Sequence, residues 1–251
     1  MPPLDLRTST VVITGAGRGF GRATAIAMTS AGARVVGVAR TANQLTDLES
    51  TIGPGFIPHP ADGTEEAVAT SLLAEYRPQL LVLNAGAVPP LGPVHRQTWQ
   101  EFSTNWEVDV KQAFCWIGAA LRLPLPPGSR VVVLSSGAAI KGSPLSGGYA
   151  GAKATVRFIS GYAAEESRRA GLDISFTALL PQLTPTTDLG RRGAAGYANR
   201  EGVSLQEFTE RLQPVLTPEA AAAAIVGLAQ QAEMPGHSYL LTGAGMRELD
   251  T

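Results

Sequence analysis

The chain has 251 residues, 44% of them hydrophobic, and a formal net charge of −1, which suits one domain with a sizeable core. This composition excludes a disordered chain and a general nucleic-acid-binding surface, and it favours small molecules and further copies of the chain as partners. The single cysteine, Cys115, cannot form a disulfide within the chain, which fits a reducing compartment. Residues 1–10 contain no apolar leader and residues 220–229 are too few to cross a bilayer, so we expect a cytoplasmic protein without membrane contact.

Apolar runs and helical patterns alternate along the first third of the chain. Buried strands are predicted at residues 10–14, 34–39, 55–58 and 80–84. Helices are predicted between them, at residues 23–31, 42–50 and 64–76. Parallel strands need crossover connections of this kind, so the pattern favours a parallel sheet.

The alternation continues to the end of the chain. The predicted elements are a long helical stretch at 98–121, a strand at 130–135, a helix carrying Tyr149 and Lys153, a strand at 173–180, an irregular segment at 181–214, a helix at 218–230 and a strand at 238–242. We therefore predict a single α/β domain over residues 1–251. Its expected fold is a Rossmann-like doubly wound parallel sheet of about seven strands with helices on both faces. Residues 181–214 are predicted to form a lid over the substrate.

A glycine-rich turn follows the first predicted strand and opens the first helix. Gly15, Gly19 and Gly21 leave backbone amides and a helix N-terminus free to face a pyrophosphate. A glycine turn alone is weak evidence, but this strand-turn-helix context favours a nucleotide.

A phenol, an ammonium and a hydroxyl are placed to meet near this nucleotide. Tyr149 and Lys153 are four residues apart and share one helix face, and Ser136 follows the strand upstream of them. A phenol has a reference pKa of about 10 and needs a nearby cation, here Lys153, to ionise near neutrality. Ser136 can donate a hydrogen bond to a carbonyl oxygen. The pattern predicts that these three groups meet at the nucleotide, next to a carbonyl that is reduced.

These motifs together resemble the classical branch of the short-chain dehydrogenase/reductase family along nearly the whole chain. Further matching marks are Asp62 after the third strand, Asn84-Ala85-Gly86 after the fourth, and Pro181 with Thr186 after the sixth. The resemblance implies a nicotinamide cofactor, a carbonyl or alcohol substrate, and a homodimer or homotetramer. The residues it places around the cofactor are Gly15, Arg18, Gly19, Phe20, Gly21, Arg40, Asp62, Asn84, Ala85, Gly86, Tyr149, Lys153, Pro181, Thr184 and Thr186.

The chain departs from the family pattern at three points. Asp109 stands where the family has an asparagine, and it is expected to accept hydrogen bonds from a water that relays protons to Lys153. Asn105, one turn earlier, is a second candidate for this role, but the favoured interpretation is an ordinary helix-surface residue. Gln182 replaces the usual glycine and is predicted to contact the substrate together with Ser136, the alternative being a solvent-facing side chain. Residues 242–245 lack the usual Asp-Gly-Gly.

Two arginines favour NADP(H) as the cofactor, with NAD(H) possible. Arg40 follows the second strand, where Ala39 replaces the acid that would bind a ribose 2′-hydroxyl, and Arg18 lies in the glycine turn. Two guanidinium groups suit a 2′-phosphate. The alternative is that both are solvated loop residues.

Other polar residues carry weaker signals. His59, His95 and His237 show no metal-ligand spacing, so no metal site is predicted. Arg191 and Arg192, in the expected lid, either meet an anionic substrate or are solvated.

The aromatic side chains Trp99, Phe102 and Trp106 follow a helical spacing typical of a buried face, although the same stripe suits an oligomer contact. Taken together, the patterns predict an NADP(H)-dependent oxidoreductase interconverting a carbonyl and a secondary alcohol. The alternative is a catalytically silent NADP(H)-binding sensor or scaffold, favoured by Asp109 and Gln182.

Overall fold

The computed structural model of the protein describes residues 3–232 and 237–249. Its strands are β1 (Thr10–Thr14), β2 (Arg34–Ala39), β3 (Phe56–Pro60), β4 (Leu80–Leu83), β5 (Arg130–Leu134), β6 (Ser175–Pro181), β7 (Ser238–Thr242) and β8 (Gly245–Glu248). They form one sheet in the order β3-β2-β1-β4-β5-β6-β7-β8, and only the β7–β8 pair is antiparallel. The predicted doubly wound sheet is confirmed. Because the prediction of one domain over 1–251 also covers residues 1–2, 233–236 and 250–251, which lie outside the described residues, it stays a prediction.

The eighth strand is a feature that the sequence pattern does not predict. β8 pairs with β7 through a tight turn in which Thr242 faces Gly245. Every residue of β8 is exposed, so no apolar run marks it in the sequence. The count of about seven strands is therefore one too low.

The helices are α1 (Gly19–Ser30), α2 (Ala42–Ile52), α3 (Glu66–Tyr76), α4 (Trp99–Asn105), α5 (Lys111–Arg122), α6 (Ala138–Lys141), α7 (Gly147–Ala170), α8 (Asp188–Glu201), α9 (Leu205–Glu210) and α10 (Pro218–Gln230). Successive side chains of a strand point to opposite faces of the sheet. In β1, Val11 and Ile13 therefore pack with α1, α2 and α10, whereas Val12 packs with α3, α5 and α7. Helices cover both faces, as predicted.

The helical stretch predicted at 98–121 contains a π-helical turn, Trp106–Val110, between α4 and α5. The first turn of α4 is stabilised by a capping box in which the Thr98 and Glu101 side chains accept from each other's backbone amides. The π turn, which the sequence pattern does not predict, carries the buried Asp109. π turns are frequent at functional sites.

The aromatic stripe at the start of this helix is not buried as a whole. Trp99 is 77% exposed and stacks on Phe102, and Trp106 is also exposed. The interpretation as a buried face is therefore wrong for Trp99 and Trp106.

Helix α4 supports the start of α7 through a very close contact. A Cβ atom placed on Gly148 would lie 1.9 Å from the Phe102 carbonyl oxygen, so only glycine allows this approach. The contact fixes the position of the α7 backbone next to Tyr149.

The segment predicted to be irregular at 181–214 is largely helical. α8 begins where the Thr187 hydroxyl accepts from the Gly190 amide, and α9 begins where the Ser204 hydroxyl accepts from the Glu207 amide. α8 contains three glycines and few large apolar residues, so its sequence has no helical stripe. The prediction of irregular structure is wrong for this reason.

Candidate active site

The glycine turn between β1 and α1 is held against the end of β4. The Asn84 amide donates to the carbonyl oxygens of Thr14 and Gly15, both at 3.1 Å. A Cβ atom on Gly21 would lie 2.2 Å from the Gly15 carbonyl oxygen, which explains why glycine is needed there. Gly19 has φ +54° and open space beside it, as a turn that receives a ligand requires.

A cavity of about 770 Å³ runs along the carboxyl ends of the strands from this turn. The predicted site residues that line it are Gly15, Arg18, Gly19, Phe20, Arg40, Asp62, Asn84, Ala85, Gly86, Asp109, Ser136, Tyr149, Lys153, Pro181, Gln182 and Thr184. Two predicted cofactor residues do not line it. Gly21 packs beneath the turn, and the Thr186 hydroxyl lies 3.5 Å from the Leu216 carbonyl oxygen. The structure thus brings nearly all the predicted residues into one cleft.

The predicted catalytic groups lie on one wall of this cleft. The Lys153 ammonium is 5.8 Å from the centroid of the Tyr149 ring and donates to the Leu134 carbonyl oxygen at 2.9 Å. The Ser136 hydroxyl lies near the Tyr149 phenol, whose pKa it lowers, and accepts from the Ala138 amide at 3.2 Å. A hydroxyl, a phenol and an ammonium therefore line the same part of the cleft.

Asp109 is in direct contact with Lys153. Its Oδ2 atom is 3.0 Å from the Lys153 ammonium, and its Oδ1 atom accepts from the Ala87 amide at 2.8 Å. Both side chains are almost fully buried. Asp109 and Lys153 therefore form a direct ion pair, and the water that would relay protons to Lys153 stays a prediction.

Asn105 is not a surface residue, and that prediction is wrong. It is 1% exposed, and its amide donates to the Ala87 carbonyl oxygen at 2.9 Å and to Asp109 Oδ1 at 3.2 Å. The position four residues before Asp109 was the available signal, because side chains at this spacing meet on a helix.

Burial and neighbouring charges shift the pKa of both Tyr149 and Lys153. Burial raises the pKa of Tyr149; Lys153 and the Ser136 hydroxyl oppose this, and Asp109 adds to it, so the net direction is upward. Burial alone would lower the pKa of Lys153, but Asp109 and Tyr149 reverse this and hold it above its ordinary value. Tyr149 is thus a protonated phenol beside a charged lysine at neutral pH.

The opposite end of the cleft carries the residues predicted to distinguish the cofactors. Arg18 and Arg40 both line it and are exposed. The Asp62 carboxylate accepts from the Thr64 amide and hydroxyl, each at 2.9 Å. The Thr64 amide contributes most to lowering the pKa of Asp62, burial opposes it, and the Thr64 hydroxyl and Arg40 add to the lowering.

The part of the cleft that Tyr197 of α8 lines has polar groups that the sequence pattern does not predict. Ser143 hydrogen-bonds with Tyr197 of α8 and with Ser146, the latter at 2.6 Å. These three residues line the cleft together with Lys141 and Arg192, whereas Arg191 does not. The Gln182 amide donates to the Pro214 carbonyl oxygen at 3.1 Å, so its side chain is anchored beyond the end of α9.

Residues 3–232 and 237–249, which the structure describes, contain neither a candidate metal site nor a candidate membrane span. Within them no group of three or more His, Cys, Asp or Glu side chains could hold a metal ion. The helices of the same residues include none long and apolar enough to span a bilayer.

The family model described as short chain dehydrogenase matches residues 9–195, a span that contains the glycine turn, Asn84, Ser136, Tyr149 and Lys153. The chain belongs to the short-chain dehydrogenase family. The resemblance expected from its motifs is thereby confirmed, and the protein is an oxidoreductase of that family.

This short-chain dehydrogenase is 30% identical over 204 residues to the NADPH-dependent aldehyde reductase-like protein, chloroplastic, of Arabidopsis thaliana, covering 73% of this chain and 76% of that protein. It is 34% identical over 108 residues to the L-xylulose reductase of Mus musculus, a match that spans 43% of this chain and 44% of the relative. Among solved structures, NAD⁺-bound xylitol dehydrogenase matches with a TM-score of 0.82 at 19% identity, over 94% of this chain and 98% of that one. At this identity the likeness shows the shared fold.

Proposed function

We propose that the protein is an NADP(H)-dependent oxidoreductase that interconverts a carbonyl compound and a secondary alcohol. The observation that carries the proposal is the position of Ser136, Tyr149 and Lys153 on one wall of a cleft that begins at the glycine turn. The relative from Arabidopsis thaliana is named an aldehyde reductase-like protein and that from Mus musculus a reductase, which supports the carbonyl-reducing direction.

The proposed chemistry follows from the groups on that wall. A bound nicotinamide cofactor supplies the hydride in reduction and accepts it in oxidation. Ser136 donates a hydrogen bond to the substrate oxygen and orients the carbonyl. Tyr149 transfers its proton to that oxygen as the carbonyl π bond breaks, which leaves a secondary alcohol and a phenolate stabilised by Lys153. Oxidation reverses each transfer.

The cofactor would lie along the length of the cleft. The glycine turn fits a pyrophosphate, because its backbone can be approached closely and α1 begins there. In this proposal Asp62 meets the adenine, Asn84, Ala85 and Gly86 shape the adenosine side, and Lys153 holds the nicotinamide ribose. Pro181 and Thr184 would border the nicotinamide end, whereas Thr186, whose hydroxyl lies near the Leu216 carbonyl oxygen, would not.

Arg18 and Arg40 support a preference for NADPH over NADH. Both line the adenosine end of the cleft, and the β2 end carries Ala39 instead of an acid. The relative from Arabidopsis thaliana is named as NADPH-dependent. Guanidinium groups make charge-assisted hydrogen bonds to a phosphate that the 2′-hydroxyl of NADH cannot replace.

Replacing both Arg18 and Arg40 with Ala should weaken NADPH binding by about a hundredfold or more, because each lost charge-assisted bond costs about 1.5–3 kcal/mol. NADH affinity should change by only a few-fold. Fluorescence titration of the reduced cofactors measures both. Arg22→Ala, whose partner is Asp47 outside the cleft, is the matched control. Equal losses for the two cofactors would contradict the assignment.

Turnover tests the proposed function directly. Ketones, aldehydes and secondary alcohols of graded size are screened while the absorbance of reduced nicotinamide is followed. Reduction of a ketone with NADPH, or oxidation of a secondary alcohol with NADP⁺, supports the proposal. Tight NADPH binding without turnover across the series would favour the silent sensor or scaffold instead.

The substrate would contact Ser136 and the polar residues that line the cleft near α8. Gln182, Ser143 and Tyr197 offer hydroxyl and amide groups at that end of the cleft. Such groups suit a substrate that carries an oxygen beside the reacting carbonyl.

We further propose a homodimer or homotetramer in the cytoplasm. Large apolar side chains are exposed on α4, α5 and α7, namely Trp99, Phe114, Phe158 and Tyr162. Exposed apolar side chains on helices that contact one another, as α4 and α5 contact α7, are typical of an interaction surface. Light scattering on the purified protein measures the assembly.

A further inference from the structure

Asn105, Asp109 and Lys153 form a buried chain of polar contacts behind Tyr149. Asn105 donates to Asp109 Oδ1, and Asp109 Oδ2 meets the Lys153 ammonium at 3.0 Å. The Ala87 backbone contacts both residues on the π-turn side, since its amide donates to Asp109 and its carbonyl accepts from Asn105. The carboxylate is therefore fixed from two sides and aimed at the lysine.

This arrangement changes the charge that Tyr149 experiences. An asparagine at position 109, the residue expected in this family, would leave Lys153 as an unbalanced cation behind the phenol. The Asp109 carboxylate balances that charge, and a phenolate at Tyr149 is then stabilised less. The balance depends on the orientation of the carboxylate, because Coulomb energy falls with distance.

We propose that Asn105 is a positioning residue that holds the Asp109 carboxylate on Lys153 and so keeps Tyr149 in its protonated, proton-donating form. The effect of this positioning on catalysis rests on the proposed function. A protonated Tyr149 favours carbonyl reduction at neutral pH. Oxidation, which needs the phenolate, would accelerate only as the pH rises through the pKa of Tyr149.

Several other charged groups lie in the cleft or flank Asp109. Those that line the same cleft are Arg18, Arg40, Asp62, Lys141, Asp188 and Arg192. Glu107 and Lys111 flank Asp109 along the chain and are exposed. The charges that act on the Tyr149 phenol are those of Lys153 and Asp109.

The titration of Tyr149 in the cofactor-free protein tests the proposal without requiring turnover. Tyrosinate absorbance is followed against pH, and the curve of the same variant carrying Tyr149→Phe is subtracted. Asp109→Asn should lower the Tyr149 midpoint by about one pH unit or more, as expected for removing a charge in contact with its partner. Asn105→Leu should also lower the Tyr149 midpoint, but by a smaller amount. In the Asp109→Asn background, Asn105→Leu should cause no further shift of the midpoint. Gln112→Leu removes a buried amide that does not line the cleft and should leave the midpoint unchanged.

Two results would overturn the proposal. In one, Asn105→Leu lowers the melting temperature but leaves the midpoint in place, which is the behaviour of a purely structural residue. In the other, its shift persists in the Asp109→Asn background, so that it does not act through the carboxylate. If the leucine variant does not fold, Asn105→Ser, which shortens the side chain, replaces it, and its Tyr149 midpoint is measured with and without Asp109→Asn. If the midpoints shift as expected but no substrate is turned over, the proposed function is contradicted and the positioning role of Asn105 is still supported.

Discussion

Tyr149→Phe should bind NADPH with an affinity close to that of the wild type and lose about a hundredfold or more in kcat, the range expected when a general acid is removed. The phenolic oxygen is the group placed to transfer a proton, while the glycine turn and the two arginines that would hold the cofactor lie elsewhere in the cleft. The ring itself is retained, so the packing of α7 should not change. Stopped-flow reduction of a substrate found in the screen, beside a cofactor titration, measures both quantities.

Tyr162→Phe is the matched control for this variant. Tyr162 lies on the same helix, is exposed and stacks on Phe158, a contact that phenylalanine preserves. Its kcat should equal that of the wild type. If Tyr149→Phe retained most of the wild-type kcat, another group would have to supply the proton.

Gly148→Ala should lower the free energy of unfolding by about 2 kcal/mol or more, a typical cost of forcing extra volume into a packed contact. The added methyl group would lie 1.9 Å from the Phe102 carbonyl oxygen, a backbone atom that can move away only if α4 and α7 separate. The separation would also move Tyr149, so kcat should fall more than cofactor affinity. Urea unfolding followed by circular dichroism gives the stability change.

Gly161→Ala provides the comparison on the same helix. A Cβ atom there meets nothing within 4 Å in the described structure, and alanine is favoured over glycine inside a helix by about 1 kcal/mol. Gly161→Ala should therefore be neutral or stabilising. Equal destabilisation by the two substitutions would show that helix α7 tolerates no added methyl group, and the specific contact with Phe102 would lose its significance.

The sheet and the cleft could be predicted because they depend on local signals. Apolar runs such as residues 130–134 mark buried strands, and the glycine turn must open a helix at a strand end. Tyr149 and Lys153 share a face by helical spacing alone. In a parallel sheet all such strand ends lie at one edge, so the residues that follow them meet in one cleft.

The features that could not be predicted depend on contacts between distant segments or on weak local signals. Nothing in the sequence from 105 to 110 shows that the helix widens to a π turn. The spacing of Asn105 and Asp109 indicates that their side chains meet, but the bond from Asn105 to the Ala87 carbonyl joins segments that are distant in the sequence. Helix α8 begins at a threonine cap but has no apolar stripe, and β8 is exposed throughout. The polar contact between Ser143 and Tyr197 joins segments that are far apart in the sequence.

The pairing of Asn105 with Asp109 has a consequence for how this active site could have diverged from its relatives. If an apolar residue occupied position 105, an acid at 109 would keep only the Ala87 amide as a donor to Oδ1, and the lost hydrogen bond to a charged group is worth about 1.5–3 kcal/mol. An ancestor with asparagine at 109 would thus gain the acid most easily after position 105 had acquired an amide. Substitutions at the two positions are expected to be strongly non-additive, and their order of appearance in the lineage would be constrained.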